Sequence, residues 1–184
     1  LADELFALFP EFPWLRNEII WTKIQGQLNK IPEDSSLNTI INHANSIMKL
    51  NPDAFAKKSI VFKVLKSAKK KNNWDCIEEW LDKLDPKHLS DKPIKIGETQ
   101  NGWSDQEIWY NYKINLLLER NDSQKALELC SSLEGKYPKN KKFFLRLKAI
   151  SYKHINKFSE SIEIYKKLCS ARNPDWWLLH EYGT

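Results

Sequence analysis

An all-α fold of stacked antiparallel helix hairpins, an α-α superhelix or solenoid, is what this sequence predicts. Three observations predict it. The segment from Ala126 through Cys130 to Leu133, closed by Pro138, returns 35 residues later as Ser161, Tyr165 and Leu168, closed by Pro174. A period near 34 residues, with a small residue, an apolar residue four on and a proline about twelve on, marks stacked helix pairs. The same apolar frame also runs through most of the chain. Finally, the sequence holds only 5 glycines and few β-branched runs, which disfavours sheet.

The frame is read hairpin by hairpin. Its first set is Leu28, Ile31, Ile40, Ala44 and Ile47, closed by Pro52. The second is Leu65, Ala68, Ile77, Leu81 and Leu84. The third is Ile114, Leu117, Ala126, Cys130 and Leu133, and the fourth is Ala149, Tyr152, Ser161, Tyr165 and Leu168. In every set the third member lies 12 residues after the first, and an apolar residue (Ile24, Val61, Tyr110, Leu145) lies four before it. Successive sets start 37, 49 and 35 residues apart, and Tyr182-Gly183 re-enters the frame 34 residues after Ala149.

The elements follow in order. Residues 1–13, apolar with two prolines, form an N-terminal cap, because a helical array must cover its terminal apolar face. Helices over about 14–29, 36–50, 53–71 and 74–84 make two hairpins spanning 14–85. Asn51-Pro52 reads as an N-cap ahead of proline at the first helical position, and so does Asn173-Pro174. Residues 86–104 form an inserted loop that accounts for the long 49-residue step, and Trp103 marks it as docked. Ser104-Asp-Gln-Glu107 is a capping box that opens a helix over about 105–120. Asn121-Asp122 ends that helix, and Asp122 or Ser123 caps the next, over about 123–135, with Gly135 as a left-handed terminator. Helices over about 140–155 and 158–171 complete hairpins 3–4, and a helix from 174 begins a fifth within 105–184. Opening at Leu1 and stopping at Thr184, the chain reads as a piece of a longer protein.

These residues resemble the tetratricopeptide repeat family. The resemblance rests on Asn-Pro-Asp at 51–53 and 173–175, Ala126 with Pro138, and Ala149 with Tyr152, over roughly residues 20–184. The chain departs from the family in its first helices: only the last repeat has the family's glycine, and Lys113 and Lys148 stand where leucine is usual. The resemblance implies a concave groove lined by first-helix residues. Carried onto this chain, those are Lys66, Lys70, Asn111, Asn115, Arg146 and Lys153. Asparagine, lysine and arginine converging on one groove suit an acidic peptide or a terminal carboxylate through charge-assisted hydrogen bonds. A solvated helix face is the alternative for the same residues.

Composition and motifs bound the function. No run approaches the roughly 18 apolar residues of a membrane span, and no signal-peptide pattern is visible; a cytoplasmic protein with no membrane partner is the expectation. Cys76, Cys130 and Cys169 each fall on or beside the apolar stripe of a second helix, where they read as small buried hydrophobes without zinc-ligand spacing. Neither a phosphate-binding glycine loop nor a hydrolase or metalloprotease signature is present, and His43, His88, His154 and His180 are isolated. No catalytic residue, metal or cofactor is assigned. Trp21, Trp74, Trp80, Trp109 and the pair Trp176-Trp177 read as packing residues. The first expectation is a non-catalytic scaffold that binds another protein or an acidic peptide, of undetermined oligomeric state. Net charge +5, with lysines clustered at 66–71 and 136–142, keeps open a second, an RNA- or DNA-associated array. A third is the regulatory arm of a larger enzyme.

Overall fold

The computed structural model describes Glu4 and residues 12–32, 34–96, 100–170 and 175–183. These residues form an all-α fold of nine α-helices with one two-stranded ribbon of two residues per strand. The chain divides into two compact units, Leu1–Asp85 and Pro86–Thr184. The division falls where the segment 86–104 begins.

In the first unit, α1 (Pro13–Gly26) leads through a 3-10 turn at Leu28–Lys30 to α2 (Leu37–Met48), α3 (Ala54–Lys70) and α4 (Trp74–Leu81). Local chemistry sets the helix starts. The Ser36 hydroxyl accepts the Thr39 N–H at 3.2 Å, the Asp53 carboxylate the Ala56 N–H at 2.7 Å, and the Asn73 side-chain Oδ1 the Cys76 N–H at 2.9 Å. Asp53, not Asn51, therefore caps α3. Asn51 instead takes a left-handed φ of 51° past the end of α2, so Pro52 stands ahead of the cap. Helix α3 packs on α1, α2 and α4. The core between them holds Ile20, Ile24, Leu28, Ile40, Ile60, Leu65, Ile77, Trp80 and Leu81, all essentially without exposure.

The second unit opens with a 3-10 turn at Pro86–His88 and the ribbon of β1 (Lys95–Ile96) and β2 (Gln100–Asn101), paired antiparallel with Lys95 opposite Asn101. The segment expected to be a loop thus carries regular structure. Its end docks as expected: Trp103 packs on Phe143 and Phe144, with ring centroids 5.0 and 5.9 Å apart. Then come α5 (Asp105–Glu119), α6 (Ser123–Ser132), α7 (Lys141–His154), α8 (Phe158–Cys169) and α9 (Trp176–Gly183). Each packs on the next from α5 to α8, α9 packs on α8, and α5 also touches α7. The Ser104 box is closed in both directions, with Glu107 N–H to Ser104 Oγ at 3.2 Å and Ser104 N–H to Glu107 Oε2 at 2.6 Å. At α6 the Asp122 carboxylate is drawn to Lys125 Nζ at 2.6 Å and makes no cap hydrogen bond. Gly135 has the left-handed φ, 81°, required of it.

Three hairpins share one turn. Asn72, Asn121 and Asn156 have φ of 50°, 59° and 61°, and each lies seven residues after a frame residue (Leu65, Ile114, Ala149). At each, the asparagine N–H returns to the carbonyl three residues back, and the next N–H reaches the carbonyl five back: Asn73 to Ala68, Asp122 to Leu117, Lys157 to Tyr152. That pair of bonds satisfies helix-end carbonyls in the Schellman manner, with asparagine where glycine is usual. The frame itself is interior. Leu65, Ala68, Ile77, Leu81, Ile114, Ala126, Cys130, Ala149, Ser161, Tyr165 and Leu168 are buried, while Leu117 and Tyr152 are half-buried.

Most helices stop one to three residues short of their predicted ends, because the left-handed residues and 3-10 turns take those positions. Among the tryptophans, Trp80 and Trp109 are buried, Trp21 packs on Phe55 at 5.3 Å, and Trp74 is half-buried. Trp176 departs from the packing expectation. It is 77% exposed, because only the Trp177 face of α9 meets α7 and α8. Most of the 1–13 cap and the Asn173-Pro174 start lie outside the described residues, as do residues 97–99 of the insertion.

Candidate partner-binding face

The six residues read as a groove divide between the units. Lys66 and Lys70 belong to the first, exposed on the last turns of α3. The positive end charge of Lys70 also complements the negative C-terminal end of the helix dipole.

The other four lie on α5 and α7 of the second unit. Asn111 and Asn115 are half-buried and face one way, one turn apart. The Asn115 side-chain amide donates to the Asn111 carbonyl at 2.7 Å and to Asn111 Oδ1 at 3.4 Å, which fixes both amides in one polar row. On α7, Arg146 and Lys153 lie seven residues apart on one face, and Lys142 extends the row by a turn. Lys153 is exposed in the last turn, where the helix dipole favours a cation.

Arg146 is already engaged. Its Nε donates to both Glu181 oxygens, at 2.9 and 2.8 Å, and its terminal Nη2 also donates to Glu181 Oε1. The Tyr165 hydroxyl donates to Glu181 Oε2 at 3.2 Å, and the guanidinium sits 5.4 Å from the centre of the Trp177 ring. The Arg146 and Glu181 side chains are 31% and 26% exposed. Burial acts to raise the Glu181 carboxyl, but the Arg146 hydrogen bonds and charge, the Tyr165 hydroxyl and His180 outweigh it. They hold the carboxyl below its ordinary range. Hydrogen bonding to Glu181 in turn raises the Arg146 guanidinium, and burial followed by the Glu181 charge raises the Tyr165 phenol. Lys142 makes a parallel contact, donating to Asp175 at 2.7 Å. Lys142, Asp175, Tyr165, Trp177 and Glu181 were not singled out from the sequence as parts of this face. The signal for Glu181 was its offset of 35 residues from Arg146, one repeat on.

Two further surfaces flank α7. A groove of about 310 Å3 between α7 and α8 alternates charges, with Glu134, Lys148, Glu163 and Lys167 on its walls. Lys148 reaches Glu134 at 2.9 Å and Lys167 reaches Glu163 at 2.9 Å, so these four charges are paired within the chain. A cavity of about 290 Å3 lies beside the insertion, lined by Asp91, Pro93, Glu107, Lys136, Tyr137 and Asn140 among others. There Gln106 Oε1 accepts from both Lys136 and Tyr137 at 2.9 Å, and Glu107 Oε1 accepts from Asn140 at 2.8 Å. These bonds tie the 136–140 turn to the start of α5. Among the described residues no three His, Cys, Asp or Glu side chains gather closely enough to hold a metal ion, and no helix is long and apolar enough to cross a membrane. No protein-family model, no curated protein and no solved structure matches this chain.

Proposed function

We propose that this chain is a non-catalytic interaction scaffold, a tetratricopeptide-like array of stacked hairpins whose α5–α7 face holds an acidic segment of another protein. The observation that carries the reading is the recurrence of one hairpin. Three times an asparagine turn with the same two backbone hydrogen bonds follows the same frame position. A repeated unit of this kind presents equivalent first-helix faces side by side. In the second unit those helices, α5 and α7, touch and carry Asn111, Asn115, Arg146 and Lys153. The chemistry of that row, amide donors beside cations, is that of carboxylate recognition.

The nucleic-acid reading draws on the exposed lysines at 66–71 and on those at 136–142. In the second cluster, Lys136 is held by Gln106 and lies over the Tyr110 and Tyr137 rings, and Lys142 is paired with Asp175. Such engagement lowers the charge offered to phosphates, so the protein-binding reading is preferred.

The test is affinity capture from nuclease-treated extract with the parent chain and with the triple variant Asn111→Ala/Asn115→Ala/Lys153→Ala, whose fold is checked by circular dichroism. Proteins retained by the parent and lost with the variant are the expected result. Retention indifferent to all three substitutions would sink the proposal. Loss of every partner on nuclease treatment, with capture that weakens steeply as salt rises, would favour nucleic acid instead.

A further inference from the structure

We infer that the cavity beside the insertion is a binding site for a free α-amino acid with an apolar side chain, its ammonium held by Asp91 and Glu107 and its carboxylate by Lys139. The site uses none of Asn111, Asn115, Arg146 or Lys153, so it goes beyond the scaffold reading and stands or falls apart from it.

The insertion is what makes this cavity. The second and third frame sets start 49 residues apart, where the next step is 35. The added segment forms one wall, at Asp91 and Pro93; the 136–140 turn forms another and the start of α5 a third. Gln106 fixes the first two walls together. Its N–H donates to the Ser90 carbonyl and its side-chain amide to the Leu89 carbonyl, each at 3.1 Å. Its Oε1 accepts from Lys136 and Tyr137 at 2.9 Å. Beyond Pro93, the Gly102 N–H closes on the Ile94 carbonyl at 2.7 Å. The space enclosed, about 290 Å3, has the size of a small-molecule site, and these bonds preform it.

Its charges suit a dipolar ligand. Glu107 is 3% exposed, and its oxygens accept from neutral donors, the Ser104 N–H at 2.6 Å and the Asn140 amide at 2.8 Å. The positive end of the α5 dipole makes a carboxylate tolerable there. A carboxylate offers about four acceptor positions, so each oxygen keeps one. Among the described residues, no lysine or arginine forms an ion pair with Glu107 or with Asp91, and no acid forms one with Lys139. Opposite charges therefore line one cavity without reaching each other, which leaves the gap to a ligand that carries both. Burial, then Tyr110, Glu107 and Asp91, raise the Tyr137 phenol, so both carboxylates act on the same wall. Lys136 lines the cavity as well, but its ammonium is engaged by Gln106 and by the Tyr110 and Tyr137 rings. Pro93, Tyr137 and Pro138 supply apolar surface for an uncharged side chain. A lone cation would meet Lys139, and a lone carboxylate would meet Asp91 and Glu107, so each is disfavoured against the zwitterion.

The test is a titration of the full chain, followed by amide NMR, with L-leucine, L-methionine and L-phenylalanine in turn up to millimolar concentration. Saturable shifts of the Asn140 side-chain amide and of the 136–140 backbone amides, with at least one of the three, are the expected result. The N-acetyl derivative of the amino acid that binds lacks the ammonium, and its C-terminal amide lacks the carboxylate. Each should bind at least about tenfold more weakly. Asp91→Asn should weaken the amino acid by a similar factor and leave the N-acetyl derivative unchanged. Lys139→Met should weaken the amino acid and leave the amide derivative unchanged. Both residues are exposed, so neither substitution removes core contacts. Absence of a saturable shift with all three amino acids would overturn the proposal. So would a derivative that matches the free amino acid, since the cavity would then take the terminal residue of a chain. Equal affinity in the parent chain and both variants would overturn it too, by placing the binding elsewhere.

Discussion

Arg146 shows how one side chain carries two readings at once. From the sequence it is a cation on a first-helix face; in the fold its guanidinium is matched to Glu181 in the fork geometry that lysine does not offer. Because the Glu181 carboxyl is held below its ordinary value of 4.5 in the folded chain, its contribution is fully present above that value. It is lost as pH falls through the lower, folded value, since the folded state must then take up a proton that breaks the pair. The Arg146 Nε–H resonance should therefore keep its hydrogen-bonded position at neutral pH and move only well into acid. In Glu181→Gln it should sit at a displaced position independent of pH. At neutral pH the same substitution should cost about 1–2 kcal/mol, the scale of a partly exposed charged hydrogen bond. An Arg146 Nε–H resonance at the same position at neutral pH in the parent chain and in Glu181→Gln would show that Glu181 does not hold Arg146 in solution.

At the scale of the element, the hairpin turns show what periodicity reveals and what it leaves hidden. The apolar frame was legible because burial selects the same positions in each hairpin: Leu65, Ile114 and Ala149 are buried alike. The start of α5 was legible because a capping box is local chemistry, complete within four residues. The asparagine turns were not read as a repeated feature. Glycine is the usual signal for a left-handed residue, and none stands at Asn72, Asn121 or Asn156 or beside them. The grip on Arg146 was hidden for a different reason. Its partner lies 35 residues away, and only the packing of α9 on α8 brings that carboxylate over the α7 guanidinium. The ends of the helices were overrun by one to three residues because frame spacing says nothing about where a turn captures the final carbonyls. These turns make a sharp test. At φ near 59°, Asn121→Ala places a Cβ in a conformation that costs about 1–2 kcal/mol, whereas Asn121→Gly adopts it without strain. Urea unfolding should show the alanine variant destabilised by about 1 kcal/mol and the glycine variant within a few tenths of the parent. Equal loss in both would mean that the asparagine side chain, not the backbone conformation, holds the turn.

At the scale of the whole molecule, each unit carries its own buried thiol, and the chemistry of those thiols reports on each core separately. Burial pushes Cys76 in the first unit up to about 11 and Cys130 in the second up to about 12, so neither is a thiolate near neutral pH. Both lie on second helices of hairpins, where they pack as small apolar groups, whereas Cys169 is half-buried at the end of α8. A thiol reagent should therefore modify Cys169 first in the native chain and leave Cys76 and Cys130 untouched until their units open. Pulsed labelling across a urea gradient converts that protection into a local stability. Leu147, buried beside Cys130, Ile114 and Phe144, is the informative residue to truncate. Leu147→Ala removes core contacts and leaves a cavity, a loss of about 2–5 kcal/mol, and Cys130 should become reactive at a correspondingly lower urea concentration. Ile77→Ala should do the same for Cys76, since Ile77 is fully buried in the first unit and next to that cysteine in α4. The hairpin frame makes this expectation specific. Leu147 and Ile77 contribute to cores assembled from consecutive helices, so each substitution acts first on the hairpins that share its contacts. Early labelling of Cys130 in the parent chain, before any loss of helicity, would mean that the α6–α7 packing opens on its own and that the buried frame of the second unit is less cooperative than its contacts imply.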